Sequence, residues 1–359
     1  MSFPKHFFLS LTFAVAFVMG ACHEPSLRVE QLQGFPDGEK GIEQGVSACY
    51  AGVIDDCLIM AGGCNFPEVP VAEGGTKRYY RGIYAARLDG GNVLRWERVG
   101  WLPTAAAYGV SVTVPDGVIC LGGNNEKTSL RSVFKIRLED GKAVIDSLPE
   151  LPVALDNFTG ALHDDSLVVS GGGQVYALDL DDMMEGWRLV AKTDGVRLQA
   201  VSGFIDREYC VWGGYSPKTD DQDASLSLDG MCFDDGNIFR IDGPSNSADG
   251  RTSFLGGAAA INLDSNTVVA MGGVNRDVFL EALNHPAPDY LTHPIDWYKF
   301  SPWVFVCRDK MWTPVGASQH VARAGAALVK HHDDLYLIGG ELKPGIRTPS
   351  VCRIIISRF

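Results

Sequence analysis

The chain has 359 residues and a mass of 38.8 kDa, more than one ordinary domain unless the architecture is a barrel or a ring of repeats. Hydrophobic residues make up 46% and charged residues 21%, with 41 glycines and 18 prolines, which excludes disorder and collagen-like structure and favours a turn-rich β protein. The 31 basic and 44 acidic residues leave a net charge of -13, and no Lys/Arg cluster could neutralise a run of phosphates, so nucleic acid is not an expected partner.

Lys5 and His6 precede an apolar run, Phe7 to Met19, too short for a comfortable membrane span and followed by Gly20-Ala21-Cys22. Residues 1–21 are therefore expected to be an export signal. Small residues before a cysteine resemble the bacterial lipobox, so Cys22 is expected to carry a lipid and to begin the mature chain, which would be periplasmic and membrane-anchored. Ordinary cleavage without an anchor is the alternative. Eight other cysteines stand singly, with no CxxC pair or metal-ligand spacing. Cys120 and Cys210 lie in apolar strand-like runs, where cysteine acts as a small buried hydrophobe. Export permits disulfides, but spacing does not pair them.

From Arg28 onward the chain reads as β structure. A short apolar run ending in Gly-Gly occurs six times: 58–63, 118–123, 167–172, 209–214, 268–273 and 335–340. Each is preceded by a polar turn such as Asp55-Asp56 or Asp333-Asp334, and before that by a strand of small apolar residues, so each unit opens as a hairpin. A loop of variable length and a further strand follow (83–88, 133–138, 175–180, 303–307), often with a tryptophan-bearing or Leu-Pro-ended segment beyond. Four strands per unit, repeated at about 40 to 70 residues, predict a six-bladed kelch β-propeller over 22–359. The last unit ends one strand short, and Arg28–Pro36 matches the pattern of Trp96–Pro103. The N-terminal strand is therefore expected to close the ring.

In such a ring the residues after each glycine pair are expected to converge on one mouth. They are Cys64-Asn65, Asn124-Asn125, Gly173-Gln174, Tyr215-Ser216, Val274-Asn275 and Glu341-Leu342, of which only Glu341 is ionisable. One carboxylate among amides and hydroxyls suits proton transfer on a sugar, and Arg347 and Arg323 nearby could hold an anionic ligand with guanidinium forks. A solvated loop glutamate and flanking surface arginines are the plainer alternative. His320, His331 and His332 read as loop histidines rather than metal ligands.

Gly340-Glu341-Leu342-Lys343-Pro344-Gly345-Ile346-Arg347-Thr348 resembles the Gly-Glu-x-Lys-Pro-Gly-x-Arg-Thr segment of the bacterial N-acetylneuraminate epimerases, the sialic acid mutarotases. Gly272-Gly273-Val274-Asn275 with Phe279, Ala107-Tyr108-Gly109-Val110-Ser111, Gly160-Ala161 and Gly62-Gly63-Cys64-Asn65-Phe66-Pro67 are similar to further family segments. Their order is shifted: the family's opening blade resembles residues 155–195 here, and its last two blades resemble 45–150. The chain thus resembles the cyclically permuted mutarotase family, a cut that a closed ring tolerates.

The resemblance implies an isomerase that interconverts α and β anomers of sialic acid without cofactor or metal. Glu341 would be the proton acceptor and Arg347 a partner of the sugar carboxylate. Arg197 matches another arginine at a blade mouth, while Ala106 stands where the family has an arginine. Arg323 is expected to supply the charge instead, with Asn275, Tyr108 and Asn65 as further substrate contacts. Tyr108, Lys343, Arg347 and water are the candidates for protonating the ring oxygen. A non-catalytic kelch ring that binds carbohydrate or protein is the rival reading. The Ser-x-Asp-x-Gly-x-x-Trp boxes of six-bladed sialidases are absent.

Overall fold

The computed structural model describes residues 26–234, 236–245 and 251–357; the proposed signal and Cys22 lie outside them. Six four-stranded antiparallel sheets follow one another along the chain. Blade 1 comprises Tyr50–Ile54, Cys57–Ala61, Gly82–Arg87 and Trp96–Trp101. Blades 2, 3, 4 and 5 begin at Val110, Thr159, Val201 and Ala259. Blade 6 takes Ala327–His331, Asp334–Ile338 and Val351–Ser357 from the C-terminal end, and its fourth strand, Ser26–Leu32, from the N-terminal end. The register runs from Ser26 opposite Ser357 to Leu32 opposite Val351, as the unfinished last unit requires.

The hairpins follow from the turn residues. Asp55 and Asp56 both have positive φ, 47° and 58°, the mirror-image turn whose twist matches that of the flanking strands. Each second strand is apolar through its centre because both faces are covered, with polar residues such as Ser166, Glu208, Thr267 and Asp334 at the turn end. In blade 1, Leu58 and Met60 pack toward blade 6, while Ile59 and Ala61 pack toward blade 2. The same division recurs around the ring, so the hydrophobic core consists of layers between neighbouring blades. Cys120, Cys307 and Cys352 are buried in these layers, whereas Cys210 and Cys232, directly opposite on neighbouring strands of blade 4, form a disulfide. His331 pairs with Asp56 at 2.9 Å, linking the hairpin turns of blades 6 and 1.

The glycine pairs permit close approach of backbones. A Cβ on Gly62 would stand 2.4 Å from the Ala106 carbonyl oxygen, and one on Gly339 2.3 Å from that of Val46. Both glycines also have positive φ. In blade 3 the run Gly171-Gly172-Gly173 instead makes the hairpin itself, with Gly171 opposite Gln174.

At the axis the blades are joined by a closed circuit of backbone hydrogen bonds. The amides of Ala48, Tyr108, Asn157, Gln199, Gly257 and Gly325 each donate to the carbonyl of the residue before it in this cyclic series, at 2.7–3.0 Å. Ala48 completes the circuit by donating to Gly325. All six have φ between 51° and 67°. That left-handed conformation turns each chain away from its own blade and toward the next.

Candidate functional site

A cavity of about 480 Å³ runs into the ring at its axis. All six residues of the hydrogen-bond circuit line it, whereas of the residues after the glycine pairs only Val274, Asn275 and Glu341 do. The expected convergence is therefore corrected. The residues that meet are those just before each first strand; of the loops after the glycines, only those of blades 5 and 6 line the cavity.

Glu341 lies in a short strand, Glu341–Lys343, paired with Ile346–Arg347. Pro344 and Gly345, the latter at φ 84°, occupy the two central positions of the turn, where proline presets φ and only glycine adopts the required positive value without strain. This places Arg347 directly across from Glu341. Oε1 of Glu341 accepts from the Arg347 guanidinium and, at 2.6 Å, from the Gly345 amide. Oε2 takes no hydrogen bond among the described residues. The Arg347 side chain is only 4% exposed and lies 5.6 Å from the Phe66 ring centroid. Burial opposes its charge, but Glu341, Tyr108 and Cys64 outweigh that and raise its pKa. Among the described residues its Nε is buried without a partner.

Tyr108 reaches this cluster from blade 2. Lys77 Nζ donates to its hydroxyl at 3.1 Å and the Cys64 thiol at 3.4 Å, so the phenolic oxygen accepts twice and its own proton remains to be given. Burial, with Cys64 beside it, pushes the Tyr108 pKa far above the ordinary phenol value. Tyr290, also lining the cavity, is pushed up to about 12, chiefly by burial and also by Tyr298 and Glu341.

Other expected site residues are used elsewhere. Arg323, 4% exposed, donates to the carbonyls of Gly339 at 2.9 Å, Ser350 at 3.0 Å and His320. Arg197 likewise binds the Gly213 and Asp229 carbonyls and the Asp229 carboxylate. Both span the first glycine of the pair and the residue before the third strand, fastening their own blades. At the corresponding place in blade 2, where Ala106 stands, the Tyr50 hydroxyl binds the Gly122 carbonyl at 2.5 Å. Neither arginine lines the cavity, and the expectation that they hold a ligand carboxylate is corrected.

Asn65, 2% exposed, spends its amide on the Gly41 and Gly45 carbonyls and its oxygen on the Tyr80 hydroxyl, away from the cavity. Asn275 lines the cavity, but its oxygen caps a helix, α1 (Arg276–Asn284), by accepting from the amides of Asp277 and Val278. Lys343 is tied to the carbonyls of Leu291 and His293.

Two features had not been expected. Helix α1 presents Val278, Phe279, Ala282 and Leu283 to the cavity, and with Tyr290, Tyr298 and Phe300 makes one apolar wall. The i, i+1, i+4, i+5 spacing behind an asparagine cap was its signal. Lys77 is the second, half-buried against Tyr108 with Nζ 4.8 Å from that ring's centroid. Asp156 is a further acid of this region, hydrogen-bonded to Ser129 and Asn157. The arrangement can hold one carboxylate oxygen fixed, leave the other to take a proton, and offer a phenol proton from blade 2, on the far side of blade 1.

The model of the N-acetylneuraminate epimerase family matches residues 18–145 and 148–358. An N-acetylneuraminate epimerase of Salmonella enteritidis is 28% identical over 229 residues, and a kelch domain-containing protein of Vibrio cholerae is 26% identical over 224 residues. These matches take in 58% and 56% of this chain; the chain spans 58% and 61% of the length of those relatives. The solved structure of YjhT superposes with a TM-score of 0.58, covering 88% of this chain and 98% of that one at 11% identity, a likeness of fold. With a family model matched along nearly its whole length, on a kelch ring of six blades, the chain belongs to the N-acetylneuraminate epimerase family.

Proposed function

We propose that this protein interconverts the α and β anomers of N-acetylneuraminate or a closely related sialic acid by acid–base ring opening. The observation that carries the reading is Glu341, held at the cavity wall through one oxygen while the other is unpartnered among the described residues. Glu341 takes the proton of the anomeric hydroxyl as the bond from the anomeric carbon to the ring oxygen breaks and the ketone forms. The ring oxygen receives a proton from Tyr108, whose hydroxyl accepts from Lys77 and Cys64. Reclosure on the other face of the ketone runs both transfers backward. Lys343 spends two of its three N–H groups on backbone carbonyls, which favours Tyr108 over it as the donor. Membership of the epimerase family supports the substrate class.

Positioned acid–base groups contribute about 10²–10⁴-fold to such reactions. Proton NMR of freshly released α-sialic acid should show faster approach to the anomeric equilibrium with wild type, and a loss of about that factor with Glu341→Gln. No acceleration by wild type overturns the activity and leaves a binding module; acceleration that survives the substitution moves the base elsewhere. Export to the periplasm with a lipid at Cys22 belongs to the same proposal, and the Cys210–Cys232 disulfide supports an oxidising compartment. The intact mass of the mature protein, with or without an acylated Cys22, decides the anchor.

A further inference from the structure

A sialic acid carries its carboxylate on the anomeric carbon, so the group that recognises it must lie close to the base. Arg197 and Arg323 are spent on their own blades. Arg347 shares its charge with Glu341, so this pair is close to neutral by itself. The cation left over is Lys77. Its ammonium donates to the Tyr108 hydroxyl and, among the described residues, makes no ion pair with a carboxylate. It stands 5.9 Å from the Phe66 ring centroid, with Arg347 5.6 Å from the same centroid. Lys77, Arg347 and Glu341 together carry one net positive charge, while Asp156, the further acid of the region, is held by Ser129 and Asn157. Aromatic faces of Phe66, Tyr79 and Tyr108 flank the ammonium and hold it while leaving its charge uncancelled.

We propose that Lys77 is the specificity-determining cation of the site, binding the carboxylate of an acidic sugar across Tyr108 and beside Arg347, in the role that Arg197 and Arg323 do not fill. This rests on the mutarotase reading for the position of the anomeric carbon. Neither Lys77 nor Arg347 itself lines the cavity; the ammonium meets it through the hydroxyl of Tyr108, which does, and its flexible stem lets it follow a ligand that enters.

The test compares wild type, Lys77→Met and Lys77→Arg, with N-acetylneuraminate and its neutral methyl ester as probes. Binding is read by NMR titration, anomerisation by the same spectra, and folding by thermal denaturation. Lys77→Met should weaken binding of the acid by about 10–100-fold, the scale of one charge-assisted hydrogen bond, and raise KM for the acid by a similar factor. Lys77→Arg should recover most of the loss. The methyl ester should bind wild type and Lys77→Met alike. Equal acid affinity in folded wild type and Lys77→Met overturns the proposal, as does an equal loss for acid and ester, which would mark Lys77 as a support for Tyr108 alone. Wild type that fails to bind the acid also overturns it. Wild type that binds the acid in a Lys77-dependent way but accelerates nothing sustains the subsite and sinks the mutarotase reading.

Discussion

At the residue scale the outcome turns on what each arginine touches. Arg323 and Arg347 lie in the same blade and are both buried, yet one fastens backbone carbonyls and the other orients a carboxylate. Truncating Arg323 would leave the Gly339 and Ser350 carbonyls without their donor, at about 1–3 kcal/mol for each one that water cannot reach. Arg323→Ala should therefore lower the denaturation midpoint while leaving KM for the acidic sugar near wild type. A raised KM at unchanged stability would return Arg323 to the ligand. Glu341 and Arg347 were singled out in the sequence because Glu341 alone is ionisable among the residues directly after the glycine pairs and both fall in the segment that resembles the epimerase family. The roles of Arg197 and Arg323 were not, since a guanidinium beside a blade mouth looks the same in sequence whether it faces a ligand or its own main chain. Lys77 escaped notice because it lies in the long loop of blade 1, where no repeated motif singles it out.

At the scale of elements, the strand Ser26–Leu32 completes a sheet whose other three strands are more than 290 residues away in sequence, a contact of high loop-closure cost. Side chains reinforce it: Glu30 accepts from Arg353 Nε at 2.8 Å. That hydrogen bond, with the charges of Arg353 and Arg28, holds the Glu30 carboxyl below its usual pKa against a smaller opposing effect of burial. The stabilisation is thus fully present above the ordinary carboxylate pKa and is lost as pH falls through the lowered value. Acid titration followed by hydrogen exchange of 26–32 should show this strand loosening on the acid side, and Glu30→Gln should flatten that dependence. An unchanged profile would show that the pair does not contribute to closure. The closing strand could be foreseen because the last unit was visibly incomplete. Helix α1 could not be foreseen from the repeat, because it sits in an insertion that the other blades lack.

At the scale of the molecule, the axial circuit of six amides binds every blade to both neighbours. No single blade can leave without breaking two of its bonds, so these amides should report on the whole ring. In native-state hydrogen exchange, Ala48, Tyr108, Asn157, Gln199, Gly257 and Gly325 should exchange as a set, at the free energy of global unfolding. Early exchange at one of them would locate a blade that opens independently. The blade count was plain from the glycine pairs, but the circuit was hidden, because the left-handed position is filled by Ala, Tyr, Asn, Gln and Gly and shares only a conformation.

Pairing the strand Ser26–Leu32 with Val351–Ser357 also decides how the ring responds to force. Ser26 lies opposite Ser357, so both ends of the chain leave blade 6 from the same corner of the sheet. Tension applied between the termini would act across the ladder and peel it one rung at a time, instead of sliding the two strands past each other under shear. A ring closed in this way resists heat as a single unit but yields to a pull at its ends at low force.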